Sequence, residues 1–136
     1  MIFIDRSITK GVAEALKMVR DDIRWLEDEF THDAKETEWL PEIGRRGWLV
    51  ITRDKRIRSR PGERKALLDA GVGCFILTQK QSLTRWEFLK LSLDEMQRIF
   101  GETEKPFVFG VSRTGELRLI ACPNRLSTFV VYTAPR

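Results

Sequence analysis

Short, continuous apolar runs alternate with stretches in which apolar residues recur every three or four positions. The runs at residues 2–4, 48–52 and 72–77 are typical of strands that are buried on both faces of a parallel sheet. The stretches between them have the spacing of amphipathic helices. Because strands and helices alternate along the chain, we predict an α/β fold whose central, mainly parallel sheet carries helices on both faces.

The first predicted helix follows the opening apolar run. Val12, Leu16 and Val19 recur at helical spacing and should share the face that packs on the sheet. Residues 22–27 then predict a short second strand, because apolar and polar residues alternate there.

The next helix is predicted over residues 34–46. Asp33 and Glu36 have the spacing of a capping box with Asp33 as the N-cap, and Gly47 is expected to end the helix. Pro41 falls inside this stretch, so the helix either begins later or is kinked there.

Further helices are predicted in the second half of the chain. Pro61 suits the first turn of one helix. Thr84 and Glu87 have capping-box spacing and should begin a single helix that ends near Gly101, with Trp86 on its apolar face.

The last predicted elements are strands. Residues 107–111 and 117–121 flank a turn at residues 113–115, which predicts a C-terminal β-hairpin. Residues 129–132 are apolar and suit either a further strand or a dimer interface.

Length and composition indicate one ordinary globular domain. The chain has 136 residues, of which 42% are hydrophobic and 32% charged. It lacks an apolar run of about 18 residues and a signal peptide, so we expect no membrane association and a cytoplasmic location. Cys74 and Cys122 lack the spacing of a zinc site, and His32 is the single histidine.

Positive charge is concentrated in one segment. The net charge is +4, and residues 45–65 contain nine Lys or Arg against two acids. Such a strip suits a phosphate backbone, although a basic run is more often just a solvated face.

Three acids are predicted to meet at one edge of the sheet. Asp5 and Asp54 follow apolar strands, and the carboxyl ends of parallel strands lie on the same rim. Glu36 shares its helical face with Leu40 and Ile43, so it should point toward the sheet.

Carboxylates that converge in this way predict a metal site. They repel each other unless a cation lies between them, and oxygen ligands without His or Cys suit Mg²⁺ or Mn²⁺. Beside a basic strip, such a site suits a phosphodiester, and Ser7 and Thr52 can orient a carboxylate or the attacking water. Taken singly, each acid has a plainer explanation as a turn, capping or ion-pair residue. Their convergence therefore carries the prediction.

The sequence also resembles a known family. The segments Phe-Ile-Asp5-Arg-Ser7 and Thr52-Arg-Asp54-Lys, together with the intervening stretch from Glu36, resemble PIN-like domains of the VapC-type toxin group. The resemblance implies a three-layer α/β/α PIN-like domain over residues 1–121. Residues 122–136 would form a C-terminal extension that adds a strand or a dimer contact. It further implies a Mg²⁺-dependent endoribonuclease that acts on RNA as the toxin of a toxin–antitoxin module, with an antitoxin protein as partner.

The resemblance also implies roles for individual residues. Asp5 and Asp54 match metal-binding acids of the family, and Glu36 falls where many relatives carry aspartate, which leaves Glu36 and Glu38 as alternative metal ligands. The basic side chains expected to bind nucleic acid are Arg6, Arg53, Lys55, Arg56, Arg58 and Arg60.

A fourth acid is usual in this family. Glu14 and Asp28 are the candidates here, and neither is well placed by spacing. The alternative to a nuclease is therefore a catalytically silent PIN-like module that binds nucleic acid or protein. A receiver-like phosphoacceptor domain fits less well, because the last predicted strand lacks the expected lysine.

Overall fold

The computed structural model describes residues 1–54, 56, 60–79, 83–122 and 131–132. The strands are β1 (Ile2–Ile4), β2 (Ile23–Trp25), β3 (Leu49–Thr52), β4 (Gly73–Leu77), β5 (Phe107–Val111), β6 (Leu117–Ala121) and β7 (Val131–Tyr132). They form one sheet in the order β2-β1-β3-β4-β5-β6-β7.

The helices connect the strands. Those described are α1 (Lys10–Lys17), α2 (Leu26–Glu29), α3 (Glu36–Arg46), α4 (Pro61–Asp69), α5 (Arg85–Leu89) and α6 (Leu93–Glu102). Within the described part of the chain, none of them is both long and apolar enough to cross a membrane.

The sheet lies between two hydrophobic cores. Helices α1, α5 and α6 pack on one face, and α2, α3 and α4 pack on the other. Ile2 and Ile4 belong to the first core and Phe3 to the second, because successive side chains of a strand point to opposite faces. All three are fully buried. The predicted three-layer α/β/α architecture is therefore confirmed.

The sheet is parallel from β2 to β5 and antiparallel beyond it. β1 pairs with β2 and β3, β3 with β4, and β4 with β5, all in parallel. The antiparallel β5–β6 hairpin confirms the prediction, and its turn contains Gly115 at a φ of 86°, which favours glycine. β7 pairs with β6, whereas residues 129–130 of the predicted strand lie outside the described residues.

Helix α3 confirms one predicted end and corrects the other. It ends at Gly47, whose φ of 68° is left-handed. The N-cap is Lys35, so the prediction that Asp33 caps the helix is wrong, and the first turn begins at Glu36. Pro41 lies inside the helix without ending it.

Two predicted apolar faces are wrong in part. Val19 is 66% exposed, because α1 ends at Lys17 before the stripe reaches it. Thr84 and Glu87 do form the predicted capping box, but α5 stops at Leu89 and α6 is a separate helix. Trp86 is consequently 66% exposed rather than packed on the sheet.

The second strand is shorter than predicted. It spans Ile23–Trp25 rather than residues 22–27, because α2 begins directly after it at Leu26.

Helices α3 and α4 approach closely at Gly44. A β-carbon at this position would overlap the backbone carbonyl oxygen of Ala70, just after α4. The backbone there cannot yield as a flexible side chain would, so a glycine is required for the two helices to pack this closely.

We predict that Gly44→Ala lowers the free energy of unfolding by about 2 kcal/mol or more, because the new methyl group overpacks this contact. Gly101→Ala is the control, since Gly101 faces open space within a helix. It should be neutral or stabilise by up to ~1 kcal/mol. Urea denaturation measures both changes, and equal stability of the two variants would contradict the close approach.

Candidate active site

A cleft of about 800 Å³ opens at the carboxyl ends of β1 and β3. Its walls come from the segments after these strands and from the first turns of α3 and α4. The charged residues that line it include Asp5, Glu36, Asp54, Arg6, Arg53 and Arg56. The structure thus brings the three acids predicted at the rim into one cleft.

Asp5 is the most buried of these acids, at 4% exposure. Its Oδ1 accepts hydrogen bonds from the Ser7 amide (3.0 Å) and the Ser7 hydroxyl, and its Oδ2 accepts one from the Thr52 hydroxyl at 2.7 Å. Burial raises the pKa of Asp5, and the hydrogen bonds from Ser7 and Thr52 offset part of that rise. Asp5 therefore links the end of β1 to the end of β3.

The same two hydroxyl groups fix the backbone that leads to Asp54. The Ser7 hydroxyl accepts a hydrogen bond from the Arg53 amide (2.8 Å), and the Thr52 hydroxyl accepts one from the Asp54 amide (3.0 Å). Each hydroxyl uses its proton as a donor and its lone pairs as acceptors, as hydroxyl groups can. The predicted supporting residues Ser7 and Thr52 thus couple the position of Asp5 to that of Asp54.

Glu36 and Asp54 lie side by side and influence each other's protonation. Burial and the neighbouring Asp54 carboxyl raise the pKa of Glu36 to about 8. Burial would also raise the pKa of Asp54, but hydrogen bonds from Arg56 and Glu36 lower it below its ordinary value. Near neutral pH the pair therefore holds one proton, which resides mainly on Glu36.

Arg56 supplies the positive charge at this pair. Its Nε and Nη2 donate to the Asp54 carboxylate at 3.0 and 2.7 Å, and Nη2 lies 3.6 Å from Glu36 Oε1. The Arg56 amide also donates to Asp54 Oδ1 at 3.0 Å, so the local turn positions the side chain.

Cys74 lies in the sheet beneath the three acids and is affected by their charge. It lies in β4 and is fully buried. Burial raises the pKa of its thiol, and the charges of Asp5, Glu36 and Asp54 raise it further. A buried thiol with a raised pKa is an inert core thiol.

The other predicted site residues lie in different places. Glu38 is exposed on α3 and does not line the cleft, whereas Glu36 does. Arg6 donates a hydrogen bond to the Ala34 carbonyl oxygen at the cleft wall. Arg60 is the exposed N-cap of α4. Lys55 and Arg58 lie outside the described residues.

A further acid in the cleft escaped the sequence reasoning. Glu63, in the first turn of α4, lines the cleft, and its charge contributes to the raised pKa of Glu36. The candidates taken from the sequence lie elsewhere, since Glu14 pairs with Lys10 and Asp28 with Lys17. One feature could have indicated Glu63: α4 begins at the same edge of the sheet as the other acids. However, acids in the first turn of a helix are common for electrostatic reasons alone.

The donor set of the cleft fits a divalent cation by its chemistry. Carboxylate oxygens without His or Cys are ligands of Mg²⁺ and Mn²⁺. The present side-chain positions are not those of a filled site, because among the described residues no three acidic, His or Cys side chains are grouped closely enough to hold a metal ion. Arg56 lies against Asp54 and Glu36, and Asp5 is bonded to hydroxyl groups.

A family model described as a PIN like domain matches residues 1–79 of the 136, a stretch that spans β1 to β4 and the whole cleft. No curated protein and no solved structure matches the chain.

We predict that Glu36→Gln stabilises the protein at high pH. The pKa of Glu36 is about 8 in the fold against an ordinary 4.5, so the fold favours the neutral form. The stability that this preference contributes is complete below pH 4.5 and is lost as the pH rises through about 8. Glutamine mimics the neutral form, so the variant should unfold like the parent near pH 4 but gain about 1 to 2 kcal/mol near pH 9.

Glu38→Gln is the matched control, because Glu38 is exposed on the same helix. Urea denaturation at the two pH values measures the difference. If the difference in unfolding free energy between Glu36→Gln and the parent did not change with pH, it would contradict the raised pKa of Glu36.

Proposed function

Because the chain belongs to the PIN-like domain family, we propose that it is a metal-dependent endoribonuclease. PIN-like domains are generally nucleases. The observation that supports the proposal most is the meeting of Asp5, Glu36 and Asp54 in one cleft that also contains arginines.

The acids of the cleft would hold the metal ion. Asp54 and Glu36, with Asp5 beside them, would hold Mg²⁺ or Mn²⁺, and the bound ion would polarise the phosphate and lower the pKa of a water molecule. We assign this role to Glu36 rather than Glu38, since Glu36 lines the cleft. Ser7 and Thr52 would keep Asp5 in place as metal and substrate arrive.

Positive side chains would hold the substrate. Arg6 and Arg53 line the cleft beside the acids and would bind the phosphates that flank the scissile bond. Lys55, Arg58 and Arg60 follow in the sequence and would add to this positive charge. A phosphodiester backbone, with one negative charge per nucleotide, suits acids and arginines arranged together, and the resemblance to the VapC-type group supports RNA as the substrate.

The role of toxin in a toxin–antitoxin module belongs to the proposal as well. It is supported by the resemblance of the segments around Asp5, Glu36 and Asp54 to the VapC-type group. In that case the protein partner would be an antitoxin, and a homodimer would use the apolar C-terminal segment, residues 122–136.

A catalytically silent PIN-like module that binds nucleic acid or protein is the second candidate. The observation that favours it is the ion pair of Arg56 with Asp54 and Glu36, which neutralises the acids without a metal. Such a module would bind RNA without hydrolysing it.

We predict that the purified protein cleaves single-stranded RNA with Mg²⁺ or Mn²⁺, and that Asp5→Asn and Asp54→Asn each lower the rate about a hundredfold or more. Chelation of the metal should abolish cleavage. Glu38→Gln, which alters an exposed acid outside the cleft, should retain it. Gel electrophoresis of end-labelled RNA measures the rates.

Cleavage that persists in the Asp5→Asn and Asp54→Asn proteins would contradict the assignment of the site. RNA binding without cleavage under any metal would favour the silent module.

A further inference from the structure

Arg56 makes a closer contact with the acids than an ordinary surface arginine makes. Two guanidinium nitrogens reach both oxygens of Asp54, at distances between 2.7 and 3.2 Å, and the Arg56 amide donates to the same carboxylate. This fork geometry is the strong form of an arginine–carboxylate pair. The guanidinium also lies 3.6 Å from Glu36 Oε1, so a single cation bridges two acids.

The location of the pair distinguishes it from a solvated ion pair. The Asp54 side chain is 9% exposed and that of Glu36 24%, and both line the cleft. Charges in such a place are screened far less than charges on an open surface. The acids therefore need a cation nearby, and Arg56 supplies it: the arginine lowers the pKa of Asp54 and opposes the rise in the pKa of Glu36.

The Arg56 side chain can move away from the two acids without disturbing the fold. Its side chain is 53% exposed, so its removal from the acids disturbs no part of the hydrophobic core. It stands two positions after Asp54, and its contacts with the acids are polar. A divalent ion carries twice the charge of a guanidinium and is far smaller, so it can compete for the same oxygens.

We propose that Arg56 is an internal counter-cation of the cleft: its guanidinium pairs with Asp54 and Glu36, the carboxylates that would hold a divalent cation, and binding of that cation would displace it. The proposal rests on the proposed function, because it concerns the same carboxylates. It makes Arg56 a residue that sets the metal concentration at which the site fills. It also leaves Arg56, once displaced, at the mouth of the cleft as a donor for a substrate phosphate.

Isothermal titration calorimetry with Mn²⁺ alone, on the full chain without RNA, tests the proposal. Arg56→Gln should bind Mn²⁺ about tenfold more tightly than the parent, because the metal no longer competes with the guanidinium. Arg56→Lys, which retains the charge but not the fork, should lie between them. Mn²⁺ should also raise the melting temperature of Arg56→Gln more than that of the parent.

Arg45→Gln is the matched control. Arg45 is likewise exposed and paired with a carboxylate, that of Glu42, but it lies outside the cleft. Its replacement removes the same charge and should leave the Mn²⁺ affinity unchanged within about a factor of two.

The outcomes separate this proposal from the one it rests on. Equal affinities of the parent and Arg56→Gln would overturn the role of Arg56 and leave the metal site standing. An equal gain in both glutamine variants would also overturn it, since net charge alone would then explain the change. An absence of Mn²⁺ binding in every protein would overturn both proposals.

Discussion

The burial of the Asp5 carboxylate constrains the rest of the site. A carboxyl group at 4% exposure loses most of its hydration, and this loss is tolerated only because hydrogen-bond donors replace the water. Ser7 provides donors from the turn after β1, and Thr52 provides one from the end of the neighbouring parallel strand β3. Their hydroxyl groups in turn accept hydrogen bonds from the backbone amides of Arg53 and Asp54, which fixes the chain directly after β3.

This arrangement explains why the acids lie together although they repel one another. The sheet fixes Asp5 and Asp54 on one rim, and α3 begins at Glu36 in the same place. The repulsion is relieved in two ways: a proton held by Glu36 and the guanidinium of Arg56. Perturbed pKa values and a specific charge partner in a cleft are features of functional sites, so they support the proposal of a cation site here.

The sequence was sufficient to predict the layers, the parallel sheet and the convergence of the three acids. All of these follow from strand ends and helical periodicity, which are local properties. Glu63 was not predicted, because an acid in the first turn of a helix is common for electrostatic reasons alone and so does not by itself indicate a ligand. The break between α5 and α6 was missed for a related reason, since Trp86 and Leu89 continue the helical spacing although they face solvent. Hydrophobic periodicity predicts that a helix has an apolar face, but whether that face is buried depends on tertiary packing.

The central claim is that the cleft of Asp5, Glu36 and Asp54 is a cation site which Arg56 occupies in the absence of metal. Anomalous diffraction from crystals grown with and without Mn²⁺ tests it most directly, because it locates the ion and the arginine together. The account predicts an anomalous peak coordinated by Asp54 and Glu36, with the Arg56 guanidinium moved off both carboxylates. A crystal saturated with Mn²⁺ that showed no peak in the cleft, with Arg56 still paired to Asp54, would contradict it.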